Sequence, residues 1–367
     1  MAKTKKTSKK SSKRKPIKPA KLAKSAKPAK PAQPPVSPQR LTELAWGFAP
    51  MLILHAALSH KIFDLLDAGP KTADELAAAS STSPRGIRAL LESLVGLGVV
   101  RRRKDRFALA PDSAMFMVST KPGFLGGLIN HFAAQLLDNW RKLPEIVRTG
   151  QPATMVDHED QGAEFFSKFV EDLFNMSFAA SQALADQLAK PLSRNNPLKI
   201  LDIAAGSGVW SIPYAQRVPH AQITAVDFHQ VLPVTRRVAA KFGLDSRLSG
   251  IEGDIQTADF GGGYHLATLG HILHSEGEAK SRRLLKKVFD ALAPGGMIAI
   301  AEFIPDDDRN GPPYPLIFAV NMLVHTEAGD TFSFKQMSGW LKEIGFGKIR
   351  KVMVPAPSPI VVATKPG

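Results

Sequence analysis

The sequence contains no cysteine among its 367 residues, which removes disulfide frameworks, thiolate metal sites and cysteine nucleophiles from consideration. It lacks an uninterrupted run of about 18 uncharged apolar residues, and its N-terminus lacks the apolar stretch of a secretory signal. The expectation is a soluble, cytoplasmic protein without a transmembrane segment. Acidic residues are also missing from one region. Residues 1–40 hold 12 Lys and 2 Arg of the 48 basic residues, whereas all 33 Asp and Glu lie beyond them. The net charge of +15 therefore resides in this tail, and the body of the chain is close to neutral.

Residues 1–40 are Lys, Ala, Pro and Ser with almost no aliphatic side chains. Such a segment cannot bury enough apolar surface to offset its ordering entropy, so a disordered, partly polyproline-like tail is expected. Two uses remain open for it. One is loose binding to nucleic acid or an anionic surface through counterion release; the other is a solvated extension with no specific partner.

The remaining chain is 44% hydrophobic in overall composition and long enough for two or three domains. From 41 to 120 the pattern is helical and then compact. The stretch from His60 to Pro111 reads as three short helices and a two-stranded wing, with Thr72 or Asp74 opening the second helix and Ser83 before Pro84 opening the third. This is a winged-helix pattern. Arg85, Arg88 and Arg101 to Lys104 keep DNA binding open, but the third helix is mostly apolar, which fits burial against a partner better. Residues 121–190 are helical and rich in Phe and Met, a connector whose aromatics serve as core or line an apolar pocket.

Beyond Pro197 short apolar runs alternate with helical stretches, which implies an α/β domain over 191–367 with a mostly parallel, doubly wound sheet. Ligands bind such sheets at the carboxyl ends of the strands. The first strand ends in Asp202-Ile203-Ala204-Ala205-Gly206-Ser207-Gly208, a turn whose glycines let backbone approach a ligand. The dinucleotide fingerprint fails, because Ser211 occupies its third glycine position. The pattern D-x-A-x-G-x-G instead resembles the first motif of Rossmann-like methyltransferases, with Ala204 where glycine is usual. That resemblance implies a sheet whose final strand is antiparallel and S-adenosylmethionine as cofactor, with Asp202 and the loop at its amino acid end. Asp227, followed by Phe228, ends the second strand and is suited to the ribose hydroxyls. Asp254 ends the third, beside the adenine amino group, with Ile255 packing on the ring.

The segment from Leu269 to Phe303 is similar to the O-methyltransferase family that includes plant caffeic acid and flavonoid, acetylserotonin and bacterial polyketide methyltransferases. The resemblance extends over roughly 41–365 and includes "WRKLPEIVRTG", "FNMSF" and the "APGG" turn. It implies an N-terminal winged-helix dimerisation domain, a homodimer and a small aromatic or polyketide-like hydroxyl substrate. It places the general base at His274 and two flanking acids at Glu302 and Asp330, with Glu327 a competitor for the latter. Phe174, Phe178, Asn321, Met322 and His325 fall on helices that line the family's substrate pocket. Three departures stand out: Ser275-Glu276 replaces Asp-Trp, Gly270 replaces a lysine, and Thr331-Phe332 replaces Arg-Thr. His265, His271 and His274 lie close in sequence but no further ligand has recognisable metal spacing, and Asp306 to Asp308 read as a solvated loop, so metal-independent chemistry is expected. Two further functions stay open: a cofactor-binding relative acting on nitrogen or carbon, and a DNA-associated regulator.

Overall fold

Strand β4 (Leu198–Ile203) shows why the C-terminal half forms a sheet buried on both faces. Leu198, Ile200, Leu201 and Ile203 are all fully buried, the near-continuous apolar run that parallel strands covered by helices require. In the computed structural model, which describes Met1 and residues 36–156, 162–163, 165–166 and 169–367, seven strands form this sheet. They are β4, β5 (Ala221–Asp227), β6 (Leu248–Glu252), β7 (Tyr264–Gly270), β8 (Leu292–Ala301), β9 (Gly347–Val352) and β10 (Ile360–Thr364), in spatial order β6-β5-β4-β7-β8-β10-β9. Pairings among β4 to β8 are parallel, and β10 alone runs antiparallel to both its neighbours. The mostly parallel sheet with a reversed final strand is as expected. The strand order reverses between β4 and β7, so the crevice for a ligand opens at their carboxyl ends.

Two apolar layers hold the helices to the sheet. On one face the 20-residue helix Leu173–Leu192 buries Leu184, Ala185 and Leu188 against the β-strand residues Ile200, Ile223 and Leu266. On the other, Leu284, Leu285 and Val288 of the helix Leu273–Ala291 pack with Met337 and Leu341 of Phe334–Ile344.

The chain divides into two units, Met1–Gly47 and Phe48–Gly367. The first contains the helix Gln39–Ala45, which has no buried residue; nearly all of the basic tail lies outside the described residues. In the second, Ile62–Asp67, Ala73–Ala79 and Pro84–Gly96 are helices, and the latter two start at the positions the capping signals indicate. Thr72 accepts from Glu75 N–H in a capping box, and Ser83 accepts from Gly86 N–H before Pro84. The antiparallel pair β2 (Val100–Arg103) and β3 (Arg106–Leu109) follows, joined by the two-residue β1 (Lys71–Thr72). Ile87, Leu91 and Leu94 of the apolar third helix are buried in this unit's own small core. The helical stretch Gln39–Ser59, turned at 46–48, meets the length and mean hydropathy of a membrane-crossing helix by composition alone, with Arg40 and Glu43 at its start.

Candidate active site

Between β4 and the helix Ile212–Arg217 the backbone turns through three left-handed residues, Ala204 (φ +50), Gly206 (φ +54) and Gly208 (φ +75). Glycine is demanded twice over at 206, where a Cβ would also lie 2.7 Å from Val170 Cγ2. Ala204 holds the same region at a cost of about 1 kcal/mol, and the loop forms in spite of it. Hydrogen bonds brace the turn from three sides. Asp227 Oδ2 accepts from Gly206 N–H at 2.7 Å, Thr235 Oγ1 donates to Gly206 O at 2.6 Å, and Ser181 Oγ donates to Val209 O at 2.6 Å.

Ala204, Gly206, Asp227, Phe228, Asp254 and Ile255 line one cavity at the carboxyl ends of β4, β5 and β6. Asp202 does not, which departs from the expectation that it faces the cofactor. Its carboxylate is turned beneath the loop, where it accepts from Ser211 Oγ at 2.5 Å and Thr268 Oγ1 at 2.7 Å, tying the turn to β7. Gly208 likewise packs inward, against Ile212 and Thr235. Burial pushes the Asp202 carboxyl up to about 7, against the pull of its two hydroxyl donors. Burial raises Asp227 to about 6, opposed by the N–H groups of Gly206 and Phe228. Asp254 Oδ1 accepts from Gln256 N–H at 2.6 Å, and Gln256 Nε2 donates to Glu276 Oε2 at 2.6 Å, so the glutamate of the Ser275-Glu276 departure braces this wall.

Opposite the loop, the end of β7 and the end of β8 bring His274 and Glu302 together. His274 Nδ1 and Glu302 Oε2 are 2.7 Å apart. The other carboxylate oxygen accepts from Leu273 N–H at 2.7 Å and His274 N–H at 3.3 Å. Burial acts to raise the Glu302 carboxyl, but the facing His274, its hydrogen bonds and His271 outweigh it and hold it below the usual range. A carboxylate acceptor facing Nδ1 selects the imidazole tautomer protonated there, in which Nε2 carries the lone pair. The imidazole is confined by Phe318, edge-on at 4.8 Å, and Phe303 at 6.0 Å.

Beyond the imidazole the cavity is lined by aromatic rings: Phe132, Phe165, Phe166, Phe169, Phe303 and Phe318. His131 stacks on Phe169 at 3.7 Å and is edge-on to Phe165 at 5.0 Å. Among the described residues, its Nδ1 and the Nε2 of His325 are buried without a hydrogen-bond partner. Burial lowers His131 to about 4, and burial lowers His325 as well.

Asn321, Met322 and His325 line this cavity as expected, with Asn321 Oδ1 accepting from Trp140 Nε1 at 3.0 Å. Phe174 and Phe178 do not. They stack on each other at 4.7 Å and against Phe242 in the core, while Leu173, Met176 and Ser177 of the same helix face the cavity. Asp330 is also displaced from its expected place. Its carboxylate pairs with Arg309 at 2.9 Å, and only its N–H reaches His274, donating to His274 O at 2.9 Å. Glu327 is exposed.

The lysine missing at 270 has a steric explanation. A Cβ on Gly270 would lie 2.1 Å from Trp210 Cδ1, so the indole occupies the space any side chain would need. Trp210, His131, His271, Phe303 and Phe318 are site residues that the sequence reading did not select. Only His271, adjacent to the family's histidine segment, carried a signal that could have found it.

The family profile for the O-methyltransferase domain matches residues 140–347, and that for the O-methyltransferase dimerisation domain matches residues 42–119. The chain is 29% identical over 320 residues to 3-hydroxy-5-methyl-1-naphthoate 3-O-methyltransferase of Streptomyces sahachiroi, covering 87% of this chain and 92% of that one. A putative O-methyltransferase from Nostoc punctiforme superposes with a TM-score of 0.82 at 28% identity, over 90% of this chain and 100% of the other. Human N-acetylserotonin methyltransferase, solved in complex with S-adenosylmethionine, shares the fold at a TM-score of 0.77 and 22% identity, over 90% and 97% of the two chains. With strand order, cofactor-side loop and histidine-glutamate pair all in place, this chain belongs to the O-methyltransferase family.

Proposed function

We propose that this protein transfers the methyl group of S-adenosylmethionine to a hydroxyl of a small aromatic or polyketide-like molecule, with His274 as general base. The observation that carries this reading is the 2.7 Å pair of His274 Nδ1 and Glu302 Oε2 at the cavity wall facing the glycine turn.

The residues at the ends of β4 to β6 fit the cofactor. Both Asp227 oxygens already accept a backbone N–H, and each retains a lone pair for a ribose hydroxyl. Asp254 supplies an acceptor for the adenine amino group, and Ile255 and Phe228 supply apolar surface for the ring. When bound there, the sulfonium supplies an already activated methyl group, so the protein's task is alignment and deprotonation. His274 Nε2 takes the acceptor's hydroxyl proton, and Glu302 compensates the charge that develops on the imidazole. The phenylalanine walls hold a planar acceptor and exclude water. No residue in this scheme calls for a metal.

The dimerisation domain supports assembly as a homodimer. A mass-spectrometric screen of phenolic, polyketide and amine acceptors with labelled cofactor tests the reading. Methylated phenols or enols are the expected products; methylation confined to amines or carbon would overturn it.

Cofactor affinity is expected to depend on pH. A carboxyl raised by burial favours its protonated form in the empty protein, so folding stability present below its unfolded value is lost as pH rises through about 6 for Asp227 and about 7 for Asp202. A cationic cofactor favours the ionised forms. Affinity measured by calorimetry should therefore rise as pH increases from about 5 to about 7, with proton release in that window, and level off above it. A flat profile would show that neither carboxyl responds to the cofactor.

A further inference from the structure

His271 takes no part in the chemistry described above, yet the fold holds it in an unfavourable state. Its backbone lies at φ +60, a left-handed conformation that a residue with a side chain adopts only where its surroundings impose it. The peptide N–H donates to Ala301 O at 2.8 Å, which fixes the residue at the carboxyl end of β7 beside the end of β8. The ring lies between Phe303 at 4.5 Å and Trp210 at 6.1 Å. Among the described residues its Nδ1 is buried without a hydrogen-bond partner, so its lone pair or proton is available to a ligand. One nitrogen of His271, one nitrogen of His274 and one carboxylate oxygen of Glu302 lie within 4.8 Å of one another, and among the described residues no other group of His, Asp and Glu is drawn together in this way.

We propose that His271, His274 and Glu302 form a capture site for a borderline transition-metal dication, Zn²⁺ foremost, and that filling it switches methyl transfer off. Two imidazoles and a carboxylate with a fourth position open to the cavity are a zinc-type donor set, whereas Mg²⁺ and Ca²⁺ call for more oxygen ligands. Zinc bonds of about 2.0–2.2 Å place tetrahedral ligand atoms about 3.4 Å apart. The widest pair, within 4.8 Å, therefore needs to close by up to about 1.4 Å, and if His274 binds through Nδ1 its 2.7 Å contact with Glu302 opens to admit the metal.

Loss of activity follows from the imidazole's two nitrogens, and this half of the proposal rests on His274 being the base. If the metal bonds through Nε2, the lone pair that would take the acceptor's proton is consumed. If it bonds through Nδ1, the ring proton leaves that nitrogen for Nε2, which then has no lone pair to offer. Either way the metal's bond forms without redox change, and its removal restores the original tautomer. His271 is what distinguishes this arrangement from a simple base–acid pair, since it supplies the third ligand.

The test is calorimetric titration of the chelator-stripped full-length protein with ZnCl₂, with MgCl₂ as a parallel probe, alongside turnover with and without zinc. His271→Asn is the variant of choice, because asparagine tolerates the left-handed backbone and its amide is a poor zinc ligand. The expected result is one zinc per chain, inhibition reversed by chelator, no response to magnesium, and zinc affinity lower by about 100-fold or more in His271→Asn. Glu302→Gln gives the same reading of zinc affinity if His271→Asn folds poorly. No zinc uptake, or uptake unchanged by both substitutions, would overturn the site. Uptake that depends on His271 while turnover continues would overturn the switch and the base assignment together, and leave the ligand set standing.

Discussion

Replacing His274 with alanine is expected to lower kcat by about 10²–10⁴-fold, the range a positioned general base contributes, while S-adenosylmethionine binds as before. The separation follows from the layout of the cavity. The cofactor-side residues sit on the turn after β4 and at the ends of β5 and β6, whereas His274 opens the helix after β7 on the opposite wall. Removing the imidazole leaves the Glu302 carboxylate with the N–H groups of Leu273 and residue 274 still donating to it, so the local backbone keeps its anchors. Single-turnover kinetics and calorimetry on the same preparation would measure both quantities. Full activity in this variant would remove the base from the mechanism; loss of cofactor binding would mean that the imidazole supports the fold of the site.

Glu302→Gln is expected to be nearly as damaging to kcat, by about 10²–10⁴-fold, although the side chain keeps its size. In serine-protease triads, changing the orienting carboxylate to an amide costs about 10⁴ because the histidine is held in the wrong tautomer. The same logic applies here. A glutamine oxygen can still accept from Leu273 and His274 N–H, and its NH₂ group then faces Nδ1, which must become an acceptor and pass its proton to Nε2. The base is silenced while the buried backbone donors remain satisfied. Thermal stability should change little in Glu302→Gln. In Glu302→Ala it should fall by about 1–3 kcal/mol for each buried donor left without a partner. Stability and turnover measured across the two variants separate orientation of the imidazole from packing of the strand end. Equal turnover in Glu302→Gln and the unmodified protein would show that the tautomer is set by something else.

The parts of this architecture that depend on local chemistry were legible before the fold was seen. Apolar runs such as "LKILDI" declare a strand buried on both faces, a left-handed turn declares itself by Gly206 and Gly208, and acids closing successive strands lie where a ligand crevice opens. The helix of Phe174 and Phe178 shows where that legibility stops. Residues four apart share a face, so the two phenylalanines were correctly placed together. Which face meets the cavity is decided by Phe242, far along the chain, and one step around the helix exchanges them for Leu173, Met176 and Ser177. Asp330 fails for a similar reason, since its competing partner, Arg309, lies on a loop that only the tertiary fold brings near. The exchange of a family lysine for Gly270 could be read as a lost contact until Trp210 was seen to fill the space.

The end of β8 places Glu302 and Phe303 back to back: the glutamate turns to the His274 imidazole and the phenylalanine to the cavity, against Phe318 at 4.4 Å and Tyr314 at 4.9 Å. A displacement of this strand end would break the His274–Glu302 pair and reshape the cavity wall in a single step. The sheet-borne side of the cavity is thus unsuited to remodelling. The helices Gly126–His131, Leu173–Leu192 and Pro313–His325 carry no part of the base–acid pair. Descendants of this scaffold that adopt new acceptors should accumulate their changes on those helices, leaving the strand ends as the inherited chassis on which each new preference is mounted.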